Sequence, residues 1–279
     1  MIKTTAQKIY LGLIFIFLYA PIITLIVLSF NASKTRAKWG GFTTKWYAAL
    51  FRNEQIMQAL WNTLALAILS ALIATLIGTI ACIAMQSMKR TSRAVLMGIT
   101  NIPMLNAEIV TGISLMLLFV AYQRFAEGVS WLPDTIMGMP TLLIAHIAFN
   151  VPYVIFNVTP KLRQLDIKLY EAALDLGCDP RQAFFKVILP EISPAILSAF
   201  LICLTYSIDD FMISYFNCGT VETLPIAIYS MTRKKVSPEI YALSTIMFVV
   251  ILTIILISNA MESREYRRDQ KALRGEDVK

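Results

Sequence analysis

The chain has 279 residues, 57% of them hydrophobic and only 15% charged, with a formal net charge of +7. A soluble domain of this length carries roughly a quarter charged residues, so the composition excludes an ordinary soluble globular protein. An excess of Lys and Arg is what the cytoplasmic loops of a membrane protein carry, which removes nucleic acid as the partner a basic chain would otherwise suggest.

The apolar residues come in blocks. A spanning helix needs about 20 of them to cross a bilayer core roughly 30 Å thick. The first block, at about 9–30, is too long for the apolar region of a signal peptide and lacks a small-x-small exit. It is expected to stay in the membrane as the first span. The loop after it holds Trp39-Gly40-Gly41-Phe42 and Trp46-Tyr47. These aromatics suit an outer interfacial belt, or, at Trp46, a role at an external mouth.

A second span lies within about 59–85, and a third runs over about 94–122 with one acid, Glu108, inside it. The fourth, at about 139–159, contains the only histidine, His146. A lone buried His is most often a packing residue, with a proton relay as the minor alternative. The four cysteines, Cys82, Cys178, Cys203 and Cys218, show no metal or disulfide spacing.

Between spans four and five lies a polar segment, 161–191, that reads as a capped helical hairpin. Leu169, Ala172, Ala173 and Leu176 recur at helical spacing. Gly177 is placed to close that helix in the left-handed conformation. Asp179-Pro180-Arg181-Gln182 predicts a second helix with a capping-box start, ended or bent by Pro190 and Pro194. Ala172 and Ala173 leave room for another surface to approach. Glu171 is expected near the start of its helix, where the dipole favours an acid, with Asp175 one turn on along the same face.

The fifth span, at about 192–211, ends on Tyr206-Ser207-Ile208-Asp209-Asp210, and the sixth covers about 241–261. With six spans both termini share one side. Their side carries sixteen Lys and Arg against nine on the other, which predicts cytoplasmic termini. Ionisable groups inside spans are costly and default to functional candidates. At about 1.5 Å per residue, Glu108 and Asp209 are expected on the order of 20 and 27 Å from the cytoplasmic side. With Tyr206 alongside, they suit a cationic solute, since carboxylates pair with ammonium groups and aromatic faces attract them. The alternative is that Asp209 and Asp210 only cap the end of the span.

Glu171-Ala172-Ala173, then Gly177, then Val187-Ile188-Leu189-Pro190 resembles the signature of the permeases of binding-protein-dependent ABC importers, with Val187 where that family usually has Ile. The resemblance extends over nearly the whole chain. Gly41-Phe42-Thr43-Thr44-Lys45-Trp46-Tyr47, Ser207-Ile208-Asp209-Asp210, Leu224-Pro225-Ile226 and Val236-Ser237-Pro238-Glu239-Ile240 are similar to the second permease of spermidine/putrescine importers. The resemblance implies an all-α, type I importer fold: one permease domain over 1–279 in a bacterial inner membrane. It implies six transmembrane helices and a cytoplasmic coupling hairpin, in which Glu171, Ala172, Ala173, Asp175, Gly177, Leu189 and Pro190 engage an ATPase. The substrate path would then include Trp46, Glu108, Tyr206, Ser207, Asp209 and Asp210.

No G-x-x-x-x-G-K-[ST], H-E-x-x-H or G-x-S-x-G run is present. The expectation is therefore a chain without a cofactor or ATPase site of its own. ATP and Mg would be bound by two partner subunits, alongside a second permease and an external polyamine-binding protein. Another cation or small organic solute is the alternative cargo. A self-contained channel is the remaining rival, and it leaves the hairpin unexplained.

Overall fold

A computed structural model describes residues 2–34, 38–126, 137–234 and 238–273. Arg36, Val236, Ser237 and the tail from Arg274 onward lie outside them. The described chain is helical: α1 (Ile2–Ser29), α2 (Lys45–Arg52), α3 (Glu54–Gln86), α4 (Arg90–Leu105), α5 (Glu108–Ala126) and α6 (Met139–Gln164) precede the hairpin. Then come α7 (Ile167–Asp175), α8 (Pro180–Ala183), a π-helical turn (Phe184–Ile188), α9 (Leu189–Asp209), α10 (Met212–Asn217), α11 (Leu224–Lys234) and α12 (Glu239–Leu273). Six helices among the described residues are long and apolar enough to cross a bilayer.

Three of them, α3, α6 and α9, form the centre. The inward face of α3 is built from small residues, with Ala67, Ser70, Ala71, Ala74, Gly78 and Cys82 buried. Lipid tails are as apolar as Leu, so membrane helices associate by close packing of such faces. Val154 of α6 seats directly on Gly78. Polar side chains tie the same helices together: Asn150 Nδ2 donates to Ser207 Oγ at 2.8 Å, and Ser207 Oγ lies 3.1 Å from Ser70 Oγ. By contrast α1, lying along α12, exposes Leu13, Phe17 and Ile23, as a lipid-facing helix does.

Two elements depart from the sequence reading. The expected continuous third span, 94–122, is two helices. Pro103 sits near the end of α4, Asn106 is extended at φ −75° and ψ 149°, and α5 restarts at Glu108. Conversely, Pro190 does not end the second hairpin helix. The chain is helical from Pro180 to Asp209 because the turn before Pro190 widens to i→i+5 bonding, with the Leu189 amide reaching Phe184 O. A π turn moves the preceding carbonyls out of the proline ring's way and accommodates its missing donor.

The loop after α1 is organised by Asn31, which is buried. Its Oδ1 accepts the amides of Ser33 and Gly40 at 3.0 and 2.8 Å, and its carbonyl accepts Trp46 Nε1 at 2.7 Å. Trp46 packs with Leu50, Ile56, Leu224 and Leu243. Only 7% of it is exposed, so the structure makes it an anchor for the loop rather than an open lining of a mouth.

Candidate functional site

The three membrane acids singled out in the sequence fall at breaks in helices. Glu108 is the first residue of α5, just past the Asn106–Ala107 interruption, and is exposed. Asp209 is the last residue of α9 and is also exposed. Glu108 lies close enough to Asp209 and Asp210 to feel their charges. Interrupted backbone at membrane depth is tolerated where it is buried in protein or lines a cavity. Asp209 stands at a helix C-terminus, the negative end of the dipole, which favours a cation beside it. Neither Glu108 nor Asp209 has an ion-pair partner among the described residues.

Asp210 has a different task. Its carboxylate accepts the amides of Ile213 at 3.2 Å and Ser214 at 2.7 Å, so it caps α10. Oδ2 also lies 3.5 Å from His146 Nε2, which is 3.0 Å from Ser214 Oγ. The histidine is thus a buried structural tie, and Asp210, grouped with Asp209 as path-lining on sequence grounds, is turned into the protein. Ser207 is likewise only 2% exposed, occupied by Asn150 and Ser70. Both residues satisfy buried polar atoms that would otherwise stay unpaired.

Aromatic residues flank Asp209 in the chain, and Glu108 is within electrostatic reach of Tyr153. Tyr206, 43% exposed, stands 4.7 Å from Tyr153 and 6.3 Å from Phe149 between ring centroids. On the far side of Asp209, Phe211 contacts Tyr215 at 5.3 Å and Tyr229 at 4.9 Å. The sequence reading missed Phe149, Tyr153 and Tyr229, because nothing in their local pattern says that α6 packs on α9 or that α11 reaches Phe211 and Tyr215.

The hairpin between α6 and α9 is a second surface with its own geometry. Asp166 caps α7 by accepting the Lys168 amide at 3.0 Å. Glu171 therefore sits in the second turn, where the dipole has largely faded. At the other end Gly177 has φ +87°, its amide reaches Leu174 O at 2.9 Å, and the Cys178 amide reaches Ala173 O at 3.1 Å. These two bonds make a complete Schellman closure. A Cβ on Gly177 would meet nothing within 4 Å, so the glycine is there for its backbone alone.

Pro180 begins α8 as expected, but Asp179 makes no side-chain cap bond. Ala173 on α7 and Ala183 on α8 are buried. Ala172, Glu171, Asp175 and Pro190 are exposed, Leu189 is half-buried and Leu176 is 86% exposed. Of the small pair, then, only Ala172 faces outward. Leu176 is thus an exposed apolar side chain on the same hairpin as the exposed acids Glu171 and Asp175.

Residues 74–268 match the family model described as "Binding-protein-dependent transport system inner membrane component". The chain is 36% identical over 271 residues to the spermidine/putrescine transport system permease protein PotC of Shigella flexneri, covering 97% of each chain. It is 37% identical over 283 residues to the putrescine transport system permease protein PotI of Escherichia coli K12, covering 99% of this chain and 98% of that one. Among solved structures, a bacterial ABC transporter involved in import of the acidic polysaccharide alginate superposes with a TM-score of 0.71 at 21% identity, over 94% of this chain and 95% of that one. The MetNI methionine ABC transporter gives a TM-score of 0.55 at 19% identity, over 80% of this chain and 99% of that one.

Proposed function

The chain belongs to the family of binding-protein-dependent transport system inner membrane components, and we propose that it is the permease subunit of an ATP-driven importer of polyamines such as putrescine and spermidine. The observation that carries the substrate class is the pair of exposed carboxylates, Glu108 and Asp209, without an ion-pair partner among the described residues and set at two helix breaks, with Tyr206 three residues before Asp209 and Tyr153 within electrostatic reach of Glu108. A linear polyammonium chain alternates charges with methylenes. Carboxylates pair with the first and ring faces accept both. The relatives named for spermidine and putrescine support the same reading.

In this reading the whole chain is one permease domain, both termini are cytoplasmic, and the α7–α8 hairpin lies on the cytoplasmic side. It pairs with a second, similar permease so that the path runs between them. Two ATP-binding subunits, which hold the ATP and Mg, seat on the hairpins through Glu171, Ala172, Asp175 and the surface around Gly177. ATP binding draws the hairpins together and opens the path outward, where an external binding protein delivers the solute. Hydrolysis and product release reset it.

The test is uptake of labelled putrescine and spermidine by the reconstituted complex. Glu108→Gln and Asp209→Asn should each lower uptake several-fold while the complex still assembles. Wild-type rates in both variants would remove the cation path. Independently, Glu171→Lys should detach or uncouple the ATPase, and a normal substrate-stimulated ATPase rate in that variant would remove the docking role.

A further inference from the structure

Among the described residues, the intramolecular cation–π contacts are Lys45 over Trp46 and Arg233 over Tyr229. The faces of Tyr153 and Tyr206 carry no such cation. These two rings are 4.7 Å apart and inclined at 59°, with Phe149 behind them at 5.2 Å from Tyr153 and itself only 5% exposed. Tyr153 lies within electrostatic reach of both Tyr206 and Glu108. It projects from the fifteenth of the 26 residues of α6, about 20 Å along that helix. One wall of α6, one face of α9 and the first residue of α5 therefore converge on a patch with two rings that carry no cation and two carboxylates without an ion-pair partner among the described residues.

We infer that Tyr153 is a specificity-determining residue of the path. With Tyr206 it forms an open aromatic cradle, backed by Phe149, that holds the methylene and ammonium groups of a polyamine while Glu108 and Asp209 take its charge. The inference rests on the polyamine reading above and deepens it. A cation within about 6 Å of a tyrosine face is attracted most where water is excluded, and a buried Phe149 keeps the back of the cradle dry. Neither tyrosine hydroxyl is needed for this, so the ring and not the oxygen should matter.

The experiment uses the complete complex in proteoliposomes with saturating putrescine-loaded binding protein. Putrescine transported and ATP hydrolysed are measured together. Tyr153→Leu should lower the transport-to-hydrolysis ratio about fivefold with hydrolysis within about twofold of wild type, whereas Tyr153→Phe should keep the wild-type ratio. General structural damage would lower both quantities together. A wild-type ratio in Tyr153→Leu, or an equal loss in Tyr153→Phe, overturns the inference. Should Tyr153→Leu not assemble, Tyr206→Leu, at an exposed position, must show the lowered ratio, and a wild-type ratio there overturns it as well. If the unmodified complex carries neither putrescine nor spermidine, the substrate reading itself has failed. If it does, and Glu108→Gln is impaired while both leucine variants are normal, only the cradle has.

Discussion

Asp209 and Asp210 are neighbours in the chain and turn to opposite surroundings: Asp209 is exposed at the end of α9, while Asp210 is 7% exposed and receives the Ser214 amide at 2.7 Å. The break in α9 separates them, because the extended Asp210 must both end one helix and cap the next. Their amide variants should therefore fail in different ways. Asp210→Asn leaves one of two backbone donors facing an NH2 group, at a cost of about 1–3 kcal/mol. It should lower the melting temperature of the purified complex. Asp209→Asn should leave melting unchanged and reduce polyamine uptake. Equal melting temperatures for the two variants would contradict the division of roles.

Gly78 sets the distance between α3 and α6. A Cβ there would stand 2.6 Å from Val154 Cβ and 2.7 Å from its Cγ1. Gly78→Ala should destabilise the chain by about 1–3 kcal/mol through overpacking. Val154→Ala should recover part of that loss when combined with it, since the two side chains compete for one volume. Thermal unfolding of the single and double variants measures the coupling, and simple additivity would place the strain elsewhere.

The hairpin depends on one backbone conformation. With φ +87° and open space around its Cα, Gly177→Ala should cost about 1 kcal/mol, and Gly177→Asn less, because Asn tolerates the left-handed region. The order Gly, Asn, Ala should appear in the amount of ATPase that co-purifies with the permease. A matching order in melting temperature of the membrane core is not expected, since the hairpin lies outside it.

Cys178 reports the side of the membrane. It is half-buried and free in the hairpin, while Cys82 and Cys203 are buried in the core. In a Cys218→Ser background, a membrane-impermeant maleimide should label Cys178 in inside-out vesicles stripped of the ATP-binding subunits and not in intact spheroplasts. The reverse pattern would invert the orientation read from the Lys and Arg distribution.

Much of this is legible in the sequence. Span six and the start of α6 at Met139 follow from where charge is absent, and the Gly177 closure follows from a glycine at the end of a periodic stretch. Other features depended on what came close in space. Trp46 looked like an interfacial aromatic until Asn31 O accepted its Nε1 at 2.7 Å. Pro190 reads in the sequence as an end or a bend, and a π turn absorbs it within a continuing helix. Tyr153 carried no local signal at all.

By itself the sequence determined a bilayer-spanning chain of six apolar helices with a polar elbow, because lipid admits only long charge-free segments and expels a capped polar hairpin. Tertiary structure alone decided which polar groups in the membrane are free. Asp210, Ser207 and His146 are consumed by partners from α3, α6 and α10, whereas Glu108 and Asp209 have no ion-pair partner among the described residues. That distinction depends on helices many residues apart meeting at one depth, and a one-dimensional pattern of hydrophobicity carries no record of such meetings.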